Sequence, residues 1–315
     1  MFHFKKAIKE INRMNNTKDN NIIVLMSTFN GESFLKEQID SILEQDVNVR
    51  LIVRDDGSID NTLHILEENQ QAQRLSYYTG KNLGPHYSFL DLLKKSPDSD
   101  FYAYADQDDV WEKEKLSTAI NMLDTAKEKP ALYFSNTLLT DENLNPIPSK
   151  RINPYLTFGE SLIYEFIPGC TMVMNKALRD IVNTYQPDYI PMHDVWIYSI
   201  AQAIGAKIFF DKQPHILYRQ HSNNTIGQGY SIWHEWKRRW QRFICDEQSR
   251  SRRAIEIRKG FSSYISSQNA SLLDSFIDGK QSFIKRINLI TNPKLRCANP
   301  TTQLLFWINL LINKY

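Results

Sequence analysis

Between Ile22 and Ser135 the chain switches repeatedly between two hydrophobic periods, and few folds accept that pattern. Ile22-Ile23-Val24-Leu25-Met26 is a continuous apolar run of strand length. Phe34, Leu35, Gln38, Ile39, Ile42 and Leu43 follow at helical spacing, with Ser33 as the expected N-cap. Val49 to Arg54 reads as a second strand, and Ile59, Leu63 and Leu66 mark a helix opening at Ser58 or Asp60. The alternation continues with strands over Arg74–Tyr78, Phe101–Ala105 and Ala131–Ser135, and helices over Tyr87–Leu93 and Lys113–Ala126. Strands separated by helices are joined by crossovers, which lay the strands parallel and cover both faces of the sheet. The expectation is an α/β domain with a mostly parallel central sheet.

Residues 1–20 read as a basic, weakly helical lead-in, 21–228 as the catalytic domain, and 229–315 as a helical C-terminal region. Three prolines (Pro146, Pro148, Pro154) predict a mobile loop over 140–165. Beyond it, Gly169–Asn175 and Ile208–Phe210 read as strands and Val195–Ile204 as a helix. An apolar fraction of 42%, a charged fraction of 23% and a net charge of +2 suit a soluble globular protein and argue against a nucleic-acid-coating one. Cys170, Cys245 and Cys297 are odd in number and lack a CxxC pair, so neither a disulfide framework nor a zinc site is implied, and a reducing cytoplasm is expected. Phe2–Met14 lacks the apolar core of a signal peptide, and no run reaches the roughly 20 apolar residues that span a bilayer.

Two acidic clusters follow strands about fifty residues apart: Asp55-Asp56-Gly57-Ser58 and Asp106-Gln107-Asp108-Asp109. In open α/β sheets ligands gather at the carboxyl ends of strands, where both clusters fall. Carboxylates bunched there repel one another unless a divalent cation or a donor-rich ligand neutralises them. In Asp106-Gln107-Asp108 the first and third side chains point the same way and can address one Mg²⁺ or Mn²⁺ ion. The competing reading is a solvated acidic turn, with Asp109 capping the helix near Trp111. Asp-Gly is likewise a turn dipeptide, and Ser27-Thr28-Phe29-Asn30-Gly31 could be no more than a strand-to-helix turn. Asp194, after His193, is either an N-cap or a general base presented at a helix start. His221, two residues beyond Arg219 in a polar loop, suits an anion or a metal-bound diphosphate, although a lone histidine is usually structural.

The order of these phrases carries more than any one of them. Val24-Leu25-Met26-Ser27-Thr28-Phe29-Asn30-Gly31, Asp55-Asp56-Gly57-Ser58 with Asp60 and Thr62, Asn82-Leu83-Gly84 and Asp106-Gln107-Asp108-Asp109-Val110-Trp111 come first. Gly169-Cys170, Met192-His193-Asp194 and Tyr218-Arg219-Gln220-His221-Ser222-Asn223-Asn224 follow. Over about residues 20–228 the set resembles the inverting family 2 glycosyltransferases, most of all bacterial rhamnosyltransferases of cell-surface polysaccharide synthesis.

The resemblance implies a GT-A fold, a nucleotide-sugar donor (dTDP-rhamnose by the same resemblance), a glycan or lipid-linked glycan acceptor, and Mg²⁺ or Mn²⁺. It implies that Ser27 and Asp56 contact the nucleoside, that Asp106 lies near the ribose, and that Asp108 binds the metal. Asp194 would be the general base and His221 a metal or diphosphate contact. Arg219, His193 and Trp111 stand as further candidates for the diphosphate or the acceptor. The family often has Glu-Asp at the base position, where this chain has His193-Asp194.

In the C-terminal third, Trp233, Trp236, Trp240, Phe243 and Ile244 recur at helical spacing among Lys237, Arg238, Arg239 and Arg242. This is a helix packed on the catalytic domain or one lying on an anionic membrane surface, and Leu304–Ile312 either assists that contact or completes the core; the expectation is peripheral association at the inner face of the plasma membrane. Two other classes compete. A nucleotidyltransferase would carry a glycine-rich phosphate loop near the first strand, and the only Gly-x-Gly is Gly227-Gln228-Gly229. A non-catalytic glycan- or lipid-binding module would be expected to lack the base or the metal acid, yet Asp106, Asp108 and Asp194 are all present.

Overall fold

The computed structural model describes residues 21–148, 151–164, 167–221 and 249–315. The lead-in at 1–20, the Ser222-Asn223-Asn224 end of the last motif, Cys245 and the Trp233–Ile244 helix lie outside the described residues. Eight strands form one sheet in the order β3-β2-β1-β4-β7-β6-β8-β5. They are β1 (Ile22–Thr28), β2 (Val49–Asp55), β3 (Ser76–Thr79), β4 (Phe101–Ala105), β5 (Val110–Trp111), β6 (Ala131–Thr140), β7 (Val173–Asn175) and β8 (Lys207–Arg219). β1, β2, β3 and β4 pair in parallel, as do β6 and β8, while β7 and β5 run against their neighbours.

Alternate side chains of β1 enter opposite cores. Ile23 and Leu25 join one apolar cluster, and Ile22, Val24 and Met26 join the other. A strand buried on both faces must be apolar throughout, which is why this run lacks polar alternation. The helices α1 (Leu35–Leu43), α2 (Thr62–Gln71), α3 (Gly84–Lys95) and α4 (Lys115–Asp124) follow the strands as the periodicity predicts. Ser33 does not cap α1. The N-cap is Phe34, and the Gly31 carbonyl instead accepts from the N–H groups of Phe34 (3.1 Å) and Leu35 (3.0 Å).

Two further expectations are corrected, and one strand is added to them. Residues 140–165 include a buried helix, α5 (Phe158–Ile163), whose N-cap Thr157 accepts from Glu160 N. Thr157-x-x-Glu160 is a capping-box spacing, a signal outweighed by the surrounding prolines. β8 has 13 residues, not three. Pro214, which cannot donate to the ladder, interrupts its sequence pattern and sits opposite Asn136, where the pairing shifts register. β5 is a two-residue strand with no periodicity to reveal it, formed because Val110 and Trp111 pair antiparallel with Leu217 and Ile216.

Helices α6 (Lys176–Val182) and α7 (His193–Ala203) follow β7. The C-terminal helices α8 (Ser249–Phe261), α9 (Ser267–Asp278), α10 (Phe283–Thr291) and α11 (Pro300–Leu311) share one apolar core with the sheet: Ala254, Ile257, Phe261, Phe276 and Phe306 join the cluster of Leu25, Tyr104 and Trp196. Buried Arg253 fastens α8 by donating to the carbonyls of Ser161 (3.0 Å) and Leu162 (3.1 Å) at the end of α5.

Candidate active site

Parallel pairing puts the carboxyl ends of β1, β2 and β4 along one edge, with Thr28 opposite Asp55 and Met26 opposite Ala105. Both acidic clusters emerge there. The β1 and β2 loops are sewn together: Thr28 O accepts from Asp56 N (2.8 Å), and Ser58 Oγ accepts from Asn30 N (2.9 Å). Asn30 adopts a left-handed φ of 49°, which its side chain makes tolerable by accepting from Ile59 N at 2.9 Å.

The turn reading holds for Asp55, whose carboxylate accepts from Gly57 N (3.1 Å) and Ser58 N (3.2 Å). Asp56 is different. It is buried against the Arg54 guanidinium and accepts from Leu83 N (2.9 Å) and Gly84 N (2.8 Å). Three donors leave a carboxylate about one of its four lone-pair sites. Ser27 Oγ lies 2.5 Å from Ser88 Oγ, and Ser88 Oγ in turn accepts from Arg54 (3.1 Å), so Ser27, Ser88, Arg54 and Asp56 form one polar wall.

The second cluster splits after its first residue. Gln107 turns towards β1, where its side-chain oxygen accepts from Thr28 Oγ1 (2.6 Å) and Phe29 N (2.8 Å). Asp106 and Asp108 are close enough to repel each other, and Asp194 adds to that repulsion on Asp106. Burial first, then these two neighbours, push Asp106 up to about 7. Asp108 Oδ2 meets His221 Nε2 at 2.7 Å, because β5 and β8 pair immediately beyond each. Asp109 is not a solvated cap. It is fully buried, and burial holds its carboxyl well above the usual carboxylate range.

Asp194 reaches the same edge from α7. β7 runs against β4, so Gly169–Thr171, the turn before it, returns to the end from which Asp106 emerges. Asp194 lies against Gly169 and is itself buried; its Oδ1 accepts from Val195 N at 2.6 Å. It is not the N-cap, a position held by Met192. Burial pushes its carboxyl up to about 7, against partial compensation from the N–H groups of Val195 and Gly169. A side-chain methyl at Gly169 would stand 2.7 Å from His193 Nε2 and 3.2 Å from Asp194 Cβ. Gly169→Ala should therefore displace Asp194 and lower kcat about 10²-fold, with little change in donor affinity, as steady-state kinetics alongside nucleotide titration would reveal.

The three remaining candidates sit in the frame. His193 is stacked on Phe89 at 4.0 Å and edge-on to Tyr104, and burial holds it down to about 3, so it is a neutral wall residue and brings no charge to a diphosphate. Trp111 is buried in the β5–β8 pair beneath the Lys115 ammonium, 3.5 Å from its ring, and does not line the edge. Arg219 is buried. Its guanidinium donates to the Asp108 carbonyl (3.0 Å), the Glu142 carbonyl and the Glu37 carboxylate, bracing the loop that carries Asp108.

Sequence reasoning passed over Lys115 and Cys170, which are buried beneath Asp106 and Asp109. Lys115 had a signal: it lines up with Leu116, Ala119, Ile120 and Leu123 on the buried stripe of α4, where an unpaired lysine is out of place. The ligand atoms of Asp106, Asp109 and Cys170 lie within 4.8 Å of one another. A hard Mg²⁺ ion has no use for a thiol, and the Lys115 amine acts electrostatically on both Asp109 and Cys170. Asp108 and His221, 2.7 Å apart and nearer the surface, are a carboxylate–imidazole pair that suits Mn²⁺ better than a thiol-containing set does.

A mostly parallel sheet that gathers carboxylates and an imidazole at its carboxyl edge is the architecture of GT-A glycosyltransferases. The family model "Glycosyl transferase family 2" matches residues 23–182. The chain is 33% identical over 236 residues to the dTDP-rhamnosyl transferase RfbG of Shigella flexneri, covering 68% of this chain and 77% of that protein. It is 26% identical over 179 residues to the Escherichia coli UDP-Glc:alpha-D-GlcNAc-diphosphoundecaprenol beta-1,3-glucosyltransferase WfgD, covering 56% of this chain and 68% of the relative. The solved structure of S. aureus TarS 1–349 with UDP-GlcNAc superposes with a TM-score of 0.58 at 17% identity, over 93% of this chain and 80% of that one, a likeness of fold alone. The chain belongs to glycosyltransferase family 2 and is an enzyme that acts on nucleotide sugars.

Proposed function

We propose that the enzyme transfers L-rhamnose from dTDP-rhamnose, with inversion, to a hydroxyl of a lipid-linked cell-surface glycan at the cytoplasmic face of the membrane. The observation that carries the reaction type is the convergence of Asp194, from α7, on the Asp106–Asp108–His221 group at the carboxyl edge of β4. The acceptor hydroxyl attacks the anomeric carbon, the bond from that carbon to the diphosphate oxygen breaks with its electrons leaving on the diphosphate, and the hydroxyl proton passes to Asp194. A carboxylate whose affinity for protons is raised towards neutrality is a stronger base than an ordinary aspartate. Asp108 and His221, assisted by Asp106, would hold a divalent cation, which supplies positive charge against the leaving diphosphate when bound. Ser27 and the free lone pair of Asp56 would meet the nucleoside.

The donor assignment is supported by the 33% identity to a dTDP-rhamnosyl transferase, and the lipid-linked acceptor by the likeness to an enzyme named for a diphosphoundecaprenol acceptor. No helix among the described residues is long and apolar enough to cross a membrane, so contact with such an acceptor would be peripheral. A thermal-shift panel of nucleotide sugars with Mn²⁺ tests the donor. dTDP-rhamnose should stabilise the fold most, by about 2.7 kcal/mol at a hundredfold excess over Kd. A larger shift with UDP-glucose or UDP-GlcNAc would replace the proposed donor.

A further inference from the structure

The last two helices turn apolar side chains outward. On α10, Phe283, Ile284 and Ile287 are exposed, Ile284 by 74%. On α11 and its C-cap, Leu304, Leu311 and Ile312 are exposed, and with half-buried Ile308 they stand at positions i, i+7, i+8 and i+4 of one face. The two helices pack on each other through their other sides, where Leu289, Phe306 and Leu310 are buried. Single exposed apolar residues are ordinary, but two neighbouring helices each presenting a stripe are not.

The charge around these stripes is mostly positive, Asp278, which pairs with Lys285 at 3.0 Å, being the acid beside them. From Gly279 to Tyr315 the chain carries Lys280, Lys285, Arg286, Lys294, Arg296 and Lys314 and no Asp or Glu. The bases precede α10, sit within it, fill the link to α11 and follow its end. A second copy docking through the same face would bring like charges together, which disfavours a symmetric dimer. An anionic surface is complementary to it. With 9 and 12 residues the helices are too short to span a bilayer, whereas apolar stripes flanked by bases suit helices lying at the headgroup boundary.

We infer that α10 and α11 form a lipid-docking face, with Phe283, Ile284, Ile287, Leu304, Leu311 and Ile312 entering the acyl boundary and the net positive charge around them drawing the face to anionic headgroups. This names the surface for the membrane contact proposed above and rests on that reading.

The test is co-sedimentation of the full chain with vesicles of phosphatidylglycerol and phosphatidylcholine, and with vesicles of phosphatidylcholine alone. Wild type should bind the anionic vesicles and lose binding in high salt. The double variant Ile284→Asp/Leu311→Asp should bind them at least about tenfold more weakly. Its hydrolysis of nucleotide sugar without acceptor should be unchanged, which shows that the fold and the active site survive. Wild type binding anionic vesicles while the double variant binds equally well would overturn this surface and leave the membrane reading standing. Failure of wild type to bind either vesicle would overturn both. A concentration-dependent dimer by light scattering that the double variant abolishes would give the face to a second copy instead.

Discussion

Asp194→Asn is expected to lower kcat by about 10²–10⁴-fold and, at pH 8, to raise the melting temperature. The two effects share a cause. Burial raises the Asp194 carboxyl to about 7 in the folded protein, whereas an unfolded aspartate titrates near 3.8. Between those values the unfolded chain releases a proton that the folded chain retains, so this residue makes stability fall as pH rises from about 4 to 7 and stay low above that. Asparagine carries no charge and keeps an oxygen to accept from Val195 N, so it removes the penalty together with the proposed base. In the wild type, log kcat/KM should rise with pH and level off near 7. Asp106 titrates in the same range and interacts with Asp194, so that limb belongs to the cluster; its loss in Asp194→Asn assigns the share of Asp194. Transfer assays over pH 5–9 and thermal melts at pH 5 and pH 8 measure both effects. Turnover within threefold of wild type would remove Asp194 from the base role.

Asp108→Asn should weaken Mn²⁺-dependent donor binding by at least about 10–100-fold, with a smaller effect on metal-free nucleotide binding. His221→Ala should act in the same direction, and the double variant should fall short of the product of the two, because the side chains form one hydrogen-bonded pair at 2.7 Å. Chelation of the wild type with EDTA should reproduce the loss. Removing the Asp108 charge also relieves Asp106 of a repelling neighbour, so the pH dependence of metal-free binding should move to lower pH in the variant. Calorimetric titration of dTDP and dTDP-rhamnose with and without Mn²⁺ distinguishes these cases. Equal, metal-independent donor affinities in wild type and both variants would rule out Asp108 and His221 as the cation site.

The parts of the site that could be read in advance are those set by short-range rules. The apolar runs end within two residues of the strand ends at Thr28, Asp55 and Ala105, and the Asp55 turn follows from Asp-Gly chemistry. Gln107 turns back to Thr28, away from the repelling carboxylates of Asp106 and Asp108. What could not be read depends on burial. His193, Trp111 and Arg219 stand in polar or acidic phrases that look like ligand contacts, yet a ring stack on Phe89, a seat under Lys115 and bonds to Glu37 and Glu142 commit them to the frame.

From the sequence alone came the α/β alternation, the family resemblance and the identity of the carboxylates, since periodicity and turn chemistry act within a few residues. Only the tertiary structure decided which acids face the edge and which are sealed beneath it. Asp108 and Asp109 are adjacent, but one meets His221, 113 positions away, while the other is buried with Cys170 and Lys115. That separation arises because β5 pairs with β8 in one register, and a shift of one residue would exchange the two side chains between the edge and the core.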